Sequence, residues 1–282
     1  MPQLIQILGL SFLACILMGA MLSYLGMHVL KREVIFIDIA VAQVAAVGSI
    51  AAHLAFDVEE DALLAYAFSL ACVVLMAAFY AVVRAKIVQI SIEAVIGISY
   101  AITAAGALFL IGIAPGHAHA QEMLAGNLLW VTWRHIIMTL IAFCAVGICL
   151  YVFRKPLSEI SEDYHQAHER GLRTVAWDFL FYSLLGVVIT LAVRVTGVVV
   201  VFALLIIPAT TSAIFSTSLI VRMIIALAAG TAATVLGLLF SYYFDFSVGP
   251  AVAMALGVLL VLAVPLGKFL GCRRQLANPG PN

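Results

Sequence analysis

Inside the apolar stretches of this sequence polar side chains are scarce, and each is a candidate for chemistry, because burying one in hydrocarbon is costly unless it meets a pathway or a partner. The stretch 35–56 holds three: Asp38, Gln43 and His53. A carboxylate, an amide carbonyl and an imidazole are all ligand types for a divalent cation, running from hard oxygen to softer nitrogen. At 100° per residue, Asp38 and Gln43 stand about 140° apart around a helix, so both cannot face one narrow route. Gln43, the deeper of the two, faces either an ion route or an interhelical hydrogen bond. Asp38, close in sequence to Lys31 and Arg32, is either a ligand or a helix-start acid in an interfacial ion pair. His53 is either a metal contact at the pathway mouth or a packing residue at the interface. His117 and His119, in Pro-Gly-His-Ala-His with Glu122 nearby, form either a transient zinc site or a solvated loop. His165 and His168 lie three residues apart on one helix face, which fits contact with a partner better than metal binding. Glu93, following Ser91, and Asp178 read as acids that satisfy helix starts.

Enzyme patterns fail one by one. Gly267-Lys268 is followed by Phe269 and lacks the upstream glycine of a phosphate-binding loop, so ATP should not bind this chain. His168-Glu169 opens like a zinc-protease helix but has no second histidine, and no Gly-x-Ser-x-Gly elbow is present. The five cysteines, Cys15, Cys72, Cys144, Cys149 and Cys272, form no CxxC pair and read as small packing residues.

The elements that must position these residues are membrane spans. The 282 residues are 65% hydrophobic and 10% charged, against roughly 25% charged in soluble domains. A hydrocarbon core about 30 Å thick needs roughly 20 apolar residues, and nine runs qualify, near 4–27, 35–56, 62–83, 92–113, 136–153, 178–195, 198–217, 220–243 and 248–267. They are too long and too uniformly apolar for barrel strands. The fold class is therefore all-α and polytopic, with about nine transmembrane helices and eight as the alternative, in a single domain over 1–282. No basic residue precedes the first apolar run and Lys31-Arg32 follow it, the reverse of a cleavable signal, so the N-terminus should lie outside and the C-terminus in the cytoplasm. That orientation puts 12 of the 14 Lys and Arg residues on the inner side and leaves Arg134 and Arg194 outside. The span 113–135 reads as an outer loop with a short interfacial or re-entrant helix, its Trp130 and Trp133 at headgroup level. The largest inner loop, 154–177, has a helical middle from Ser158 to Arg170 that stops at Gly171. The tail 275–282 is expected to be disordered. Small residues in the second span, among them Ala42, Ala46, Gly48 and Ala52, suit close helix packing. Pro208 must break one backbone hydrogen bond, making its helix, with Thr210, Thr211 or Ser212, a candidate wall of a polar cavity.

Several of these segments together resemble the permease family of ATP-binding cassette (ABC) importers for zinc, manganese and iron. The strongest runs from Arg194-Val-Thr-Gly197 to Ala203-Leu-Leu-Ile-Ile-Pro208, similar to that family's glycine-to-proline signature; Thr210 follows closely. Others are Gly26-Met-His28 before Lys31-Arg32, Glu93-Ala-Val-Ile96-Gly97, Gly126-Asn-Leu-Leu129 and Asp245-Phe-Ser-Val-Gly249-Pro. The segment Glu162-Asp163-Tyr-His165-Gln166-Ala167-His-Glu-Arg-Gly171 is similar to the family's coupling helix, which docks on the ATPase. The resemblance implies a permease of the vitamin B12/metal type in the bacterial plasma membrane. Its implied partners are a second permease copy, two cytoplasmic ATPase subunits that bind ATP, and an extracytoplasmic metal-binding protein, with no nucleic acid. It implies no cofactor in this chain and a transported divalent metal, zinc ahead of manganese or iron. Aligning Gly48 with the family's glycine sets Gln43 where many members have histidine and Ile39 where they have aspartate. A neutral amide is a harder ligand than imidazole, which weakens the zinc reading. The rival is a self-sufficient proton-coupled carrier using Asp38 and Glu93.

Overall fold

The computed structural model describes residues 2–58, 62–86, 89–113 and 131–277. Its helices are α1 (Pro2–Lys31), α2 (Ile37–Phe56), α3 (Leu63–Lys86), α4 (Ile92–Ile113), α5 (Trp133–Val152), α6 (Arg154–Glu162), α7 (Tyr164–Glu169), α8 (Thr174–Thr196), α9 (Val198–Phe215), α10 (Leu219–Phe244) and α11 (Val248–Ala277). Among the described residues nine are long and apolar enough to cross a membrane; α6 and α7 are the short exceptions. Helix is forced here, since a spanning segment in lipid has no water to satisfy its backbone and must pair its own N–H and C=O groups. The chain is a multi-pass helical membrane protein.

Two sets of helices share one apolar core. In the first, α9 packs against α1, α10 and α11; in the second, α2 packs against α3, α4 and α8. The sets meet where α8 touches α9 and α1, and where α2 touches α9, while α5 lies at the side against α8 and α1. Close crossings depend on glycine. A Cβ on Gly26 would stand 1.8 Å from the Leu205 carbonyl oxygen, so α1 and α9 touch backbone to backbone. Gly48 likewise brings α2 close to α3, where a Cβ would meet the Ser69 Cα at 2.8 Å. The small-residue packing expected of α2 is therefore present, with Ala42, Ala46 and Ala52 buried beside Gly48.

Several expectations change. The helical middle of 154–177 is two helices, because Asp163 is extended (φ −150°, ψ 107°) and closes α6; its Oδ1 then accepts the Gln166 amide at 3.0 Å and starts α7. Gly171, with φ +81°, ends the segment as expected. The sixth span begins at Thr174, so Asp178 lies inside α8 and is not a helix-start acid. Trp133 opens α5 and is exposed, whereas His117, His119, Glu122, Gly126–Leu129 and Trp130 fall outside the described residues. Helix α11 continues through Ala277, into the tail expected to be disordered.

Candidate functional site

At the end of the bundle that carries Lys31 and Arg84, a buried polar cluster ties the short helices to the spans. Arg32 follows α1 and is 2% exposed. Its Nη1 donates to Asp178 Oδ1 on α8, its Nε to Ser161 Oγ on α6 at 2.9 Å, and its Nη2 to the Leu157 carbonyl at 3.3 Å. The Phe181 ring lies 4.1 Å from its guanidinium carbon. Burial lowers the Arg32 proton affinity and the Asp178 carboxylate beside it raises it again; a guanidinium stays charged under that balance. Arg84, from the end of α3, donates to both Asp178 oxygens at 3.3 Å and to the Tyr182 hydroxyl at 3.3 Å. One carboxylate thus serves two guanidinium groups.

Ser161 extends the cluster. Its hydroxyl donates to the Leu157 carbonyl at 2.7 Å, so its oxygen accepts from Arg32 and, at 3.1 Å, from His28 Nδ1. All three bonds hold only with the His28 proton on Nδ1. At the rim, Lys31 Nζ pairs with Glu162 at 3.2 Å. The Arg84 guanidinium lies over the Tyr164 ring of α7 at 4.6 Å. Ala167 is buried in α7, whereas Asp163 and Gln166 are exposed. Sequence reasoning read Arg84 only as a marker of membrane sidedness and set Arg32 beside Asp38, and so missed this cluster, whose key partners are 146 residues apart.

On α2 the structure separates Asp38 from Gln43. Asp38 is 1% exposed. Neither of its oxygens has a well-formed hydrogen bond among the described residues. The ion pair expected with Lys31 or Arg32 does not form: Lys31 goes to Glu162 and Arg32 to Asp178. What remains is the acid in the first turn of α2, where the free amides favour negative charge. Gln43 belongs instead to a half-buried stripe at four-residue spacing, Ile39, Gln43, Val47 and Ala51. His53, near the far end, has its Nδ1 2.8 Å from the Val58 carbonyl, and this bond folds the chain back after α2. A donating Nδ1–H leaves the Nε2 lone pair open.

Gly197, with φ +84°, both ends α8 and begins α9. Pro208 is buried within α9. After it Thr210 is half-buried, whereas Thr211 and Ser212 are buried and return their hydroxyls to their own helix, to the Ile207 and Ala209 carbonyls at 2.8 and 2.7 Å. Arg194 is drawn among α2, α3 and α8, donating to Ser49 and Ser69 at 3.1 and 3.3 Å. Among the described residues no group of three or more His, Cys, Asp or Glu side chains could hold a metal ion.

A family model described as the ABC 3 transport family matches residues 5–267. The chain belongs to that family. ABC 3 membership makes it a transport protein of permease type rather than an enzyme. The chain is 29% identical over 192 residues to the manganese transport system membrane protein MntB of Synechocystis sp., an overlap of 67% of this chain and 63% of that one. It is 26% identical over 218 residues to a Haemophilus influenzae protein designated "Probable iron transport system membrane protein", covering 74% of this chain and 77% of that one. In fold it matches the structure of PsaBC from Streptococcus pneumoniae in complex with Fab, with a TM-score of 0.75 at 22% identity over 93% of this chain and 94% of that one. This ABC 3 chain therefore shares the all-α fold of that chain over nearly its whole length.

Proposed function

We propose that the chain is the membrane permease subunit of an ATP-driven importer of a divalent metal ion. The family match over 5–267 carries this reading, and it favours ATP-driven import over a self-sufficient proton-coupled carrier. Manganese or iron is the preferred cargo. The similar proteins are named for those metals, and an amide oxygen at Gln43 suits a harder ion than zinc. Two copies would enclose the route, with ATPase subunits on the Lys31/Arg84 side and an extracytoplasmic metal-binding protein opposite. Residues 154–177, with Glu162, Asp163, His165, Gln166, Ala167 and Gly171, would take the ATPase. The Arg32 cluster would carry its movement into α1, α3 and α8.

Within α2 the ion would pass along the open stripe that holds Gln43. His53 Nε2 would offer a nitrogen at the mouth, and Asp38, on the buried side, would stay out of contact. Thr210 beyond Pro208 is the matching candidate on α9. The test is uptake into vesicles containing the complete transporter, at matched protein levels. ATP-dependent uptake of manganese or iron should exceed that of zinc. Gln43→Leu should cut uptake by about tenfold, equivalent to ~1.4 kcal/mol on the barrier, without loss of assembly. Gln43→His should raise zinc relative to manganese. Asp38→Asn should leave uptake intact, since it removes a buried charge that has no counter-charge. Uptake driven by a proton gradient without ATPase would overturn the whole reading. Normal uptake by Gln43→Leu together with none by assembled Asp38→Asn would move the route to the other face of α2.

A further inference from the structure

A groove of about 710 Å³ runs between α1 and α5 and reaches the start of α10. Its walls are apolar, with Leu17 and Met21 from α1, Leu140 and Phe143 from α5, and Met223 from α10. No atom lies within 4 Å of where a Cβ on Gly147 would stand, so the groove is open along the α5 backbone there. From Leu140 to Tyr151 the lining runs eleven residue steps along α5, about 16 Å at 1.5 Å per step. That is close to half of a hydrocarbon core of about 30 Å, the depth of one leaflet. The neighbouring face of α5, with Ile141 and Ile148 exposed, is suited to lipid.

The mouth of the groove has a different chemistry. Arg154 and Lys155, the first residues of α6, line it together with Ser158 and Tyr24. Both cations are exposed. Among the described residues neither forms an ion pair, and Glu162, at the far end of α6, is taken by Lys31. The Arg154 guanidinium is braced 4.9 Å over the Tyr151 ring. An apolar slot one leaflet deep, headed by two unpaired cations and two hydroxyls, matches one class of molecule: its acyl chain fills the slot and its phosphate meets the cations. We infer that this groove is a binding site for an anionic phospholipid of the leaflet on the Arg154 side. A second copy of the chain fits less well. In a two-fold contact groove faces groove, and no acid lines this one to answer Arg154 and Lys155.

The consequence reaches the short helices. Arg154 and Lys155 open the helix whose other end, Ser161, is bonded to Arg32, so an occupied groove would steady α6 from the membrane side. The site rests on the membrane fold and not on the identity of the cargo, so its test is separate from transport. The full-length protein is placed in nanodiscs of equimolar dioleoylphosphatidylglycerol and dioleoylphosphatidylcholine, then moved to detergent, and retained lipid is counted by native mass spectrometry. Wild type should retain phosphatidylglycerol preferentially. Arg154→Gln combined with Lys155→Gln should lower that preference about thirty-fold, two cations at roughly 1 kcal/mol each near a charged membrane surface. Gly147→Phe, which fills the slot and leaves the cations in place, should abolish retention of both lipids. Matched unfolding temperatures of the variants show that each is folded. The inference is overturned by wild-type preference in the double variant, or by undiminished retention in Gly147→Phe, which would reduce the site to a phosphate contact. It is also overturned by efficient bismaleimide linkage of two copies through the exposed Cys144 in the groove, which would show a second copy covering it.

Discussion

Asp178 lies at 0% exposure between the guanidinium groups of Arg32 and Arg84, and taking away its charge would strand two cations. Breaking a buried ion pair in this way costs about 3–5 kcal/mol, so Asp178→Ala should sharply lower the unfolding temperature of the protein in detergent; an unchanged temperature would mean that water already reaches the cluster. Arg32→Lys is the finer probe, because an ammonium cannot make the forked contacts to Asp178, Ser161 and the Leu157 carbonyl at once. The complete transporter carrying it should assemble and hydrolyse ATP while importing several-fold fewer ions per ATP. A wild-type ratio of ions to ATP would remove Arg32 from the coupling route. Little of this was legible beforehand. Ser91 was, because a cap acts locally: its Oγ accepts the Ala94 amide at 3.2 Å. Asp178 was not, because its partners come from just after α1 and from α3, and local sequence carries no signal for a pairing across 146 residues. The same limit hid the true partner of Lys31, which is Glu162, 131 residues away.

At the level of helices, length and apolarity were sufficient signals, since a span must be long and apolar whatever it packs against. All nine expected runs are helices, with ends shifted by a few residues. Those small shifts mattered: the earlier start of α8 is what moves Asp178 from a helix start to the interior. The break at Asp163 escaped notice because the side chain that ends α6 also caps α7, and polar residues on both sides conceal the join. The contact between α1 and α9 is the least tolerant one. Gly26→Ala would drive a methyl group into the Leu205 carbonyl, and backbone cannot step aside as a side chain can. A cost at or above the usual ~1–3 kcal/mol for overpacking follows. Gly26→Ala should therefore yield less folded protein in fluorescence-detected size exclusion, with Gly97→Ala, where nothing lies within 4 Å, as the unaffected control. Equal yields would mean that α1 and α9 can separate freely.

For the molecule as a whole, the distribution of basic residues makes a prediction that the packing alone does not. With 12 of 14 Lys and Arg residues on one side, that side should be cytoplasmic. In a variant without native cysteines, membrane-impermeant maleimide applied from outside should label single thiols introduced at Glu60 or His117 and spare one at Arg170. Labelling at Arg170 in sealed cells would reverse the orientation. The two helix sets could not be read from sequence, because every span is apolar on all sides and its neighbours are chosen by glycine contacts and buried hydrogen bonds rather than by an apolar stripe. The junction between the sets does carry a further consequence, for biosynthesis. Only Gly197 separates the 23-residue α8 from the 18-residue α9, so no tether exists on which one could wait across the bilayer for the other. The insertion machinery should therefore release them as one helical hairpin, and in the orientation that the basic residues favour, Arg194, three residues before its tip, would be carried across with it.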